Sequence, residues 1–442
     1  MEASIAVAVA KPISNPMKRV FGIRDFSRLF AGQSTSLLGD QFYNIAGAWL
    51  VLRLTGDPLA LGLVIALGTI PRAVFTLIGG AITDRVAPRQ VMLLSDIIRL
   101  VLTALMAVQV FTGTLQVWMI YAYSLVFGVV GGVFAPASMS MAPTLVPSED
   151  LQAGNSVMQG SMQLIGFVGP AVAGALIAAF PRQNIGVGLA IAFDALTFIV
   201  SVITLWMMRA GRQVTTSAPA APRVGVWASI REGLGYMLND PALRIMFILI
   251  AIANFAFGGP VLVGIPFLAN TRFPEGAAAY GLIISGYAGG NLLGIILCGA
   301  LPKLKQQLLK VFLVVMFLLF AAGTASLAWI GSSWLAFAVM LVMGILNGYL
   351  SITLITGLQR NTPREMLGRI MSMVLLANLV FMPLSQTLAG AVLRWNVPAL
   401  FVGAGVLMAL CAVYLAVPKI GALLSAQLAS NQSSPAKAEA SH

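Results

Sequence analysis

Apolar residues in this chain run in blocks of about twenty, separated by short gaps that hold most of the charge. A helix needs about 20 residues to cross the hydrocarbon core of a bilayer. On that measure the pattern predicts twelve spans, at about 27–52, 58–83, 90–111, 115–138, 152–180, 185–208, 244–269, 280–301, 308–330, 334–358, 366–390 and 397–418. Two uncharged runs, 100–148 and 311–359, must each contain a break; Gly113 and the Gly331-Ser332-Ser333 turn supply it.

This spacing divides the 442 residues into an N-terminal tail (1–25), six spans (26–208), a linker (209–243), six further spans (244–418) and an Ala/Ser/Gln-rich tail expected to be disordered (419–442). The first part of the linker is flexible in composition, with Pro219 and Pro222. Its second part sets Trp227, Ile230, Leu234, Met237 and Leu238 at near-helical spacing, which fits a helix lying on the membrane surface. Gly233 and Gly235 leave a disordered linker open.

Composition agrees with lipid as the main solvent. Apolar residues make up 59% and charged residues 9%, against about 25% charged in an ordinary soluble protein, and mean hydropathy is +0.93. The net charge of +12 forms no nucleic-acid patch, because the basic residues are dispersed among the gaps. Their placement instead sets an orientation. Twenty lie in one alternating set of gaps and four (Arg53, Arg182, Arg272, Arg394) in the other. The positive-inside rule then puts both termini in the cytoplasm of a multi-pass plasma (inner) membrane protein.

Absences narrow the chemistry. The single histidine is the last residue, His442, and no Gly-Lys dipeptide exists to form a phosphate-binding P-loop. No ATPase subunit, metal, cofactor, nucleic acid or catalytic residue is implied, and the chain reads as a non-enzyme acting as a monomer. Any proton movement would fall to carboxylates. Cys298 and Cys411 sit in apolar stretches without ligand clusters and read as buried thiols.

An internal repeat is present. Gly62-Leu63-Val64-Ile65 returns as Gly281-Leu282-Ile283-Ile284, and Gly80-Ala81 as Gly299-Ala300, both at an offset of 219 residues. Pro147-Ser148-Glu149-Asp150-Leu151 returns as Pro363-Arg364-Glu365-Met366-Leu367 at an offset of 216. Spans one to six thus match seven to twelve in parallel order. The implied fold is an all-α membrane protein, two six-helix bundles related by a pseudo-two-fold axis with a site between them.

The segment Gly80-Ala-Ile-Thr-Asp84-Arg85-Val-Ala87-Pro88-Arg89 resembles the loop motif of the major facilitator superfamily, departing from it at Ala87 and Pro88. Gly166-Phe-Val-Gly169-Pro170-Ala-Val-Ala173-Gly174 is similar to the antiporter motif of that superfamily, with Ala173 in place of a glycine. Leu54-Thr55-Gly56-Asp57-Pro58-Leu59, Ser36-Leu-Leu-Gly39-Asp40-Gln41, Phe134-Ala-Pro136-Ala137 and Gly368-Arg369 resemble the branch that holds macrolide-efflux and siderophore-export proteins. The resemblance covers nearly all of 26–418. It implies a secondary transporter working by alternating access, with a proton-coupled export reaction. It also implies a cytoplasmic gate in which Asp84, with Gly80, Arg85 and Arg89, meets the start of the eleventh span near Arg364 and Arg369. A solvated turn charge is the plainer reading of Asp84. Gly80 would permit close helix approach, and Gly166, Gly169, Pro170 and Gly174 a thin, bendable face.

Charges at lipid depth cost at least ~2.5 kcal/mol each on insertion scales and so mark candidate sites. Five occur, all in the first half: Asp40, Arg72, Asp96, Arg99 and Asp194. Asp40, ~20 Å along its span by helix rise, is the leading candidate for an ion carrier, with a structural pair to Arg72 as the alternative. Asp96 and Arg99, three apart, share a helix face and form either an internal pair or part of the gate. Many proton antiporters of the resembled superfamily carry an arginine in the fourth span, whereas 115–138 has no charge here. Arg72 or Arg99 would then serve, or another ion drives transport.

The second half offers aromatic, amide and Met groups instead. Asn254, Phe257, Tyr287, Asn291, Asn347, Asn378 and Phe381, with Phe255, Tyr349, Met382 and Gln386, are candidates to line a cavity. Such a lining suits bulky, partly apolar cargo. An importer or facilitator of a small metabolite and a transport-inactive receptor or scaffold remain the alternatives.

Overall fold

The computed structural model describes residues 15–83, 85–180, 184–209, 235, 239–301, 306–361 and 380–423. Helix dominates, and the described residues include no strand. In a bilayer core only helices or closed barrels satisfy every backbone N–H and C=O internally. A short α1 (Pro16–Gly22) leads into α2 (Arg24–Thr55), α3 (Pro58–Thr83), α4 (Pro88–Thr112), α5 (Val117–Leu145), α6 (Leu151–Ala179) and α7 (Ile185–Met207). Beyond the linker come α8 (Pro241–Gly259, continuing through a π-helical turn Pro260–Gly264 to Ile265–Thr271), α9 (Ala277–Ala300), α10 (Gln306–Ser326), α11 (Ser333–Asn361), α12 (Val380–Leu393) and α13 (Val397–Ala416).

Ten of these helices are long and apolar enough to cross a membrane, against the twelve expected. The two further spans expected fall on α2, which is 32 residues long but carries five charged side chains, and on α12, whose fourteen described residues are fewer than a crossing needs. Local chemistry sets the ends. Gly56 (φ 62°) closes α2 and Gly113 (φ 70°) closes α4 in the left-handed conformation that glycine adopts freely. Pro58 and Pro88 start α3 and α4, where a missing N–H costs nothing.

Two expectations are corrected. α5 runs on to Leu145, seven residues past the predicted end, through Pro136 and Pro143. The chain is also helical over 418–423, where disorder was expected from 419. The proposed surface helix of the linker falls almost wholly outside the described residues.

Packing repeats with a shift of six helices. α3 lies on α5 as α9 lies on α11, α4 on α7 as α10 on α13, and α2 on α7 as α8 on α13. The seam between the two sets is made by α6 against α9 and by α3 against α12. Outward-facing apolar side chains such as Leu94, Val101 and Leu410 are exposed, as befits helices solvated by lipid.

Candidate functional site

In the first half, helix packing gathers the intramembrane charges into one cluster. Asp96 is completely buried on α4. Its carboxylate accepts from Arg99 Nη2 at 2.5 Å and from Ser201 Oγ of α7 at 2.6 Å. The i,i+3 spacing puts the pair on one face, so it is internal to α4 and tied across to α7. Arg99 lies between two aromatic faces, 4.1 Å from the ring centre of Phe134 and 4.9 Å from that of Phe198. A guanidinium over aromatic faces is favourable where water is excluded.

Asp194 of α7 is equally buried but has no cation in bonding contact among the described residues. Its Oδ1 lies 3.5 Å from Thr197 Oγ1, and its Oδ2 has no hydrogen-bond partner there. Gly39 is what lets this carboxylate approach α2, since a methyl group at position 39 would lie 2.4 Å from Asp194 Oδ1. The next residue is Asp40. It is half-buried and lies in the field of Arg99 and Arg72, while Asp194 lies in that of Asp40, Arg99 and Asp96. Tyr43, stacked on Phe127, faces the same charges.

Arg72 reaches this cluster from α3. No direct Asp40–Arg72 ion pair is formed; the guanidinium instead lies against Gly131 of α5, where a methyl group would sit 3.0 Å from both Nε and Nη2. The uncharged fourth span thus accommodates a cation carried by the second. The cluster contains three carboxylates and two guanidinium groups, one formal negative charge in excess.

The second half encloses a cavity of about 480 Å³ with no charged side chain in its wall. Asn254 and Phe257 of α8, Tyr287 of α9, Phe320 of α10, Asn347 of α11 and Met382 of α12 line it. Phe257 organises the wall, with its ring centre 4.7 Å from that of Tyr287 and 5.4 Å edge-on from Phe320. The π turn of α8 borders the cavity through Val261 and Leu262. Ser385 of α12 steadies this irregularity by accepting from Gly259 N at 2.8 Å and donating to Phe255 O at 2.5 Å.

Five of the expected lining residues, Asn254, Phe257, Tyr287, Asn347 and Met382, therefore meet in one place. Asn291, Phe381, Phe255, Tyr349 and Gln386 do not line it. Asn291 accepts from Gln163 of α6 at 3.3 Å, across the seam. Asn378 lies outside the described residues. Phe317, Phe320 and Ser351 line the cavity although the sequence did not single them out. Phe317 and Phe320 sit in a largely apolar helix, where no polar face marks the inward side, whereas Ser351 lies one turn past Asn347 on the same face of α11.

The seam is closed through backbone contact. A methyl group at Gly281 would lie 2.1 Å from Pro170 O, and one at Gly174 would lie 2.4 Å from Ala277 O. Ala171 N, one residue past Pro170, donates to Ser285 Oγ of α9 at 2.9 Å. Gly169 packs instead on Gln41 of α2, and Gly166 has no neighbour within 4 Å of a Cβ position among the described residues. On the α3–α12 side Gly62 abuts Gln386 O, and Gly390 abuts Pro58 O. At that end Arg394 grips Asp57 with both arms, Nε donating to Oδ1 at 2.8 Å and Nη2 donating to Oδ2. This pairing holds the Asp57 carboxyl below the usual carboxylate range and raises the Arg394 guanidinium. Asp57 also caps α3 by accepting from Leu59 N at 2.9 Å.

Residues 29–385 match the family model described as Major Facilitator Superfamily. The chain belongs to that superfamily. It is 24% identical over 289 residues to Macrolide efflux protein A of Streptococcus pyogenes, a match covering 65% of this chain and 69% of that protein. It is 26% identical over 372 residues to Multidrug efflux pump Tap of Mycolicibacterium fortuitum, covering 83% and 87%. Among solved structures, a bacterial homologue of the iron transporter ferroportin in an inward-facing state aligns with a TM-score of 0.67 at 16% identity, covering 89% of this chain and 99% of that one. A nucleoside transporter aligns at 0.66 and 14%, covering 90% and 99%. At such identities the structures establish the fold alone.

This facilitator is a transporter, not an enzyme. Of its loop motif, Asp84, Arg364 and Arg369 lie outside the described residues, and Arg85 is exposed. Arg89 is buried and donates to Leu205 O and Trp206 O, both at 2.7 Å. It caps the carbonyl end of α7, the favourable place for a cation. Gly80, for which a close helix approach is expected, has nothing among the described residues within 4 Å of where a Cβ would stand, and the start of the eleventh span lies outside them. Its neighbour Gly79 makes that approach, onto Val133 and Pro136 of α5.

Proposed function

We propose that this transporter is a proton-coupled antiporter of the plasma (inner) membrane. It exports bulky, amphipathic small molecules by rocker-switch alternating access, as a single chain with both termini in the cytoplasm. The observation that carries this reading is the buried cluster of the first half, with one carboxylate in excess over its arginines. A buried group with an unbalanced charge is costly, and one proton removes that cost. The carboxylate pair at Asp40 and Asp194 is the site for that proton. Arg72, the exposed member of the cluster, is the group whose distance to Asp40 would change as the halves rock, so that the proton binds on one side and leaves on the other.

The cargo reading rests on the uncharged aromatic cavity and on the efflux names of the two relatives. Apolar walls with a few amides bind by burial and orientation rather than by charge, as a site for varied cargo requires.

The test is transport by the purified protein in proteoliposomes, over macrolides, cationic dyes and siderophores, with an imposed pH or sodium gradient. Cargo moving against the proton flow is the expected result. Movement under a sodium gradient alone would replace the proton, and no gradient-driven movement of any cargo would overturn the reading. Deleting the gene should raise drug sensitivity; loss of growth on one nutrient would favour import instead.

A further inference from the structure

A second cavity, of about 410 Å³, opens where α2 begins and α5 and α7 end, which places it at a membrane boundary. Ile23, Arg24, Asp25, Arg28, Thr144, Leu145 and Arg209 wall it. The volume is within the range of small-ligand sites. The framework is fixed by local bonds. Ile23 makes an extended elbow between α1 and α2, and Phe21 packs edge-on against Phe26 and Phe30. Arg19 of α1 pairs with Asp150 at 2.5 Å.

Charge in the wall is unbalanced. Arg28 Nη1 donates to Asp25 Oδ1 at 2.9 Å and to Met207 O at 3.0 Å. Asp25 Oδ2 accepts the backbone N–H of Arg209 at 3.1 Å. The one acid of the wall thus already faces an arginine and an amide. The guanidinium groups of Arg24 and Arg209 are exposed and have no hydrogen-bond or ion-pair partner among the described residues. Two forked donors beside a small cavity match the oxygens of a phosphate.

The surroundings are those of a lipid rather than of a soluble anion. Met207 and, at 69% exposed, Trp206 stand at the end of α7 next to Arg209, and Met17 and Phe21 are exposed on α1. Aromatic and apolar residues at a span end lie where headgroups meet acyl chains. We propose that this cavity is a binding site for the headgroup of an anionic phospholipid. Arg24 and Arg209 hold the phosphate, and the acyl chains run along Trp206 and Met207. The bound lipid ties the α1–α2 elbow to the ends of α5 and α7. A zwitterionic lipid is disfavoured, because its ammonium group would meet the same two arginines.

The test uses the full-length protein in detergent, read by native mass spectrometry and by thermal unfolding with added phosphatidylglycerol or phosphatidylcholine. The wild type should retain phosphatidylglycerol and unfold at a higher temperature with it than with phosphatidylcholine. Arg24→Gln with Arg209→Gln should weaken that retention by roughly thirtyfold, since each arginine near an anionic surface contributes about a factor of five. Arg53→Gln, at the opposite end of α2, should leave it unchanged. If the double variant does not fold, Arg209→Gln alone should show roughly a fivefold loss. Equal retention of the two lipids by the wild type would overturn the proposal, as would an equal loss in Arg53→Gln. Inorganic phosphate that reproduces the full thermal shift would assign the site to a soluble anion and overturn the lipid reading.

Discussion

The two halves of this transporter share a helix packing and divide their chemistry. Where α4 meets α7, a buried carboxylate bonds a hydroxyl through Asp96 and Ser201. Where the corresponding α10 meets α13, Gly405 lies against the Ala321 backbone carbonyl and the Ala325 methyl, a contact made without a polar side chain. Every charged side chain buried among the described residues precedes residue 209, and the cavity wall of the second half holds none. A duplicated scaffold can thus keep its packing, which depends on small residues and ridge geometry, while one copy carries ionisable groups and the other an apolar pocket. On the function proposed above, energising and cargo recognition are then separable by mutation.

Asp40→Asn should have the largest effect. It removes the excess charge and should reduce pH-driven transport by about a hundredfold, the scale on which a lost proton-transfer group acts. Cargo affinity measured without a gradient should stay within about threefold, since the cavity is in the other half. Unchanged coupling in proteoliposomes would remove Asp40 from the mechanism; a parallel loss of affinity would dissolve the division of labour.

Gly281→Leu comes next, and it addresses the seam both halves share. Its side chain would have to enter a gap now closed by Pro170 O at 2.1 Å from the methyl position. Overpacking of this kind costs about 1–3 kcal/mol, here charged to the closed arrangement of α6 on α9. Cysteine pairs placed across that seam should crosslink more slowly by roughly tenfold or more. Wild-type crosslinking rates would show that the seam does not form in the membrane.

Phe257→Ala tests the pocket from the other side. The ring touches Tyr287 and Phe320, and its removal should weaken aromatic cargo binding by about tenfold, in keeping with ~0.5–1.5 kcal/mol per ring pair. The number of protons moved per cargo should be unchanged. A changed ratio would mean that the cavity and the charge cluster act as one unit.

How far these features were legible in the sequence follows from their range. Gly113 marked the end of α4 correctly because glycine adopts the left-handed conformation freely, and the break expected at Gly331-Ser332-Ser333 falls between α10 and α11. The repeat was visible because close packing preserves Gly62 and Gly281 at one offset, and the structure sets both in the seam. The five charges were legible because lipid penalises each of them individually. Partnerships were not. Ser201 beside Asp96, Gly131 beneath Arg72 and Arg394 on Asp57 join residues 59 or more positions apart, and nothing local encodes the pairing. Arg394 was counted only as one of four basic residues on the outer side. Phe320 went unmarked because its helix is apolar all round, and the end of α5 was misplaced because proline in lipid need not stop a helix.

Asp57→Asn should have the smallest effect, and it sharpens the comparison by loosening the halves without touching either specialised site. The carboxylate joins α3 to the Arg394 turn with both oxygens, yet its side chain is 27% and that of Arg394 48% exposed. Solvent screens pairs of this kind, so the closed arrangement at this end should be disfavoured by no more than about fivefold. The pH dependence has a definite sign. Because Asp57 is held below the ordinary carboxylate value of about 4, its contribution is complete above that value and is lost as pH falls through the lowered one. A fluorophore pair reporting separation of α3 and α12 should therefore show wild-type opening only in strong acid, and Asp57→Asn should open slightly at neutral pH with no further acid response. An acid response retained in Asp57→Asn would place the titrating group elsewhere. The buried cluster of the first half would then be the group that senses acid, and opening at this end would be coupled to the proton site rather than independent of it.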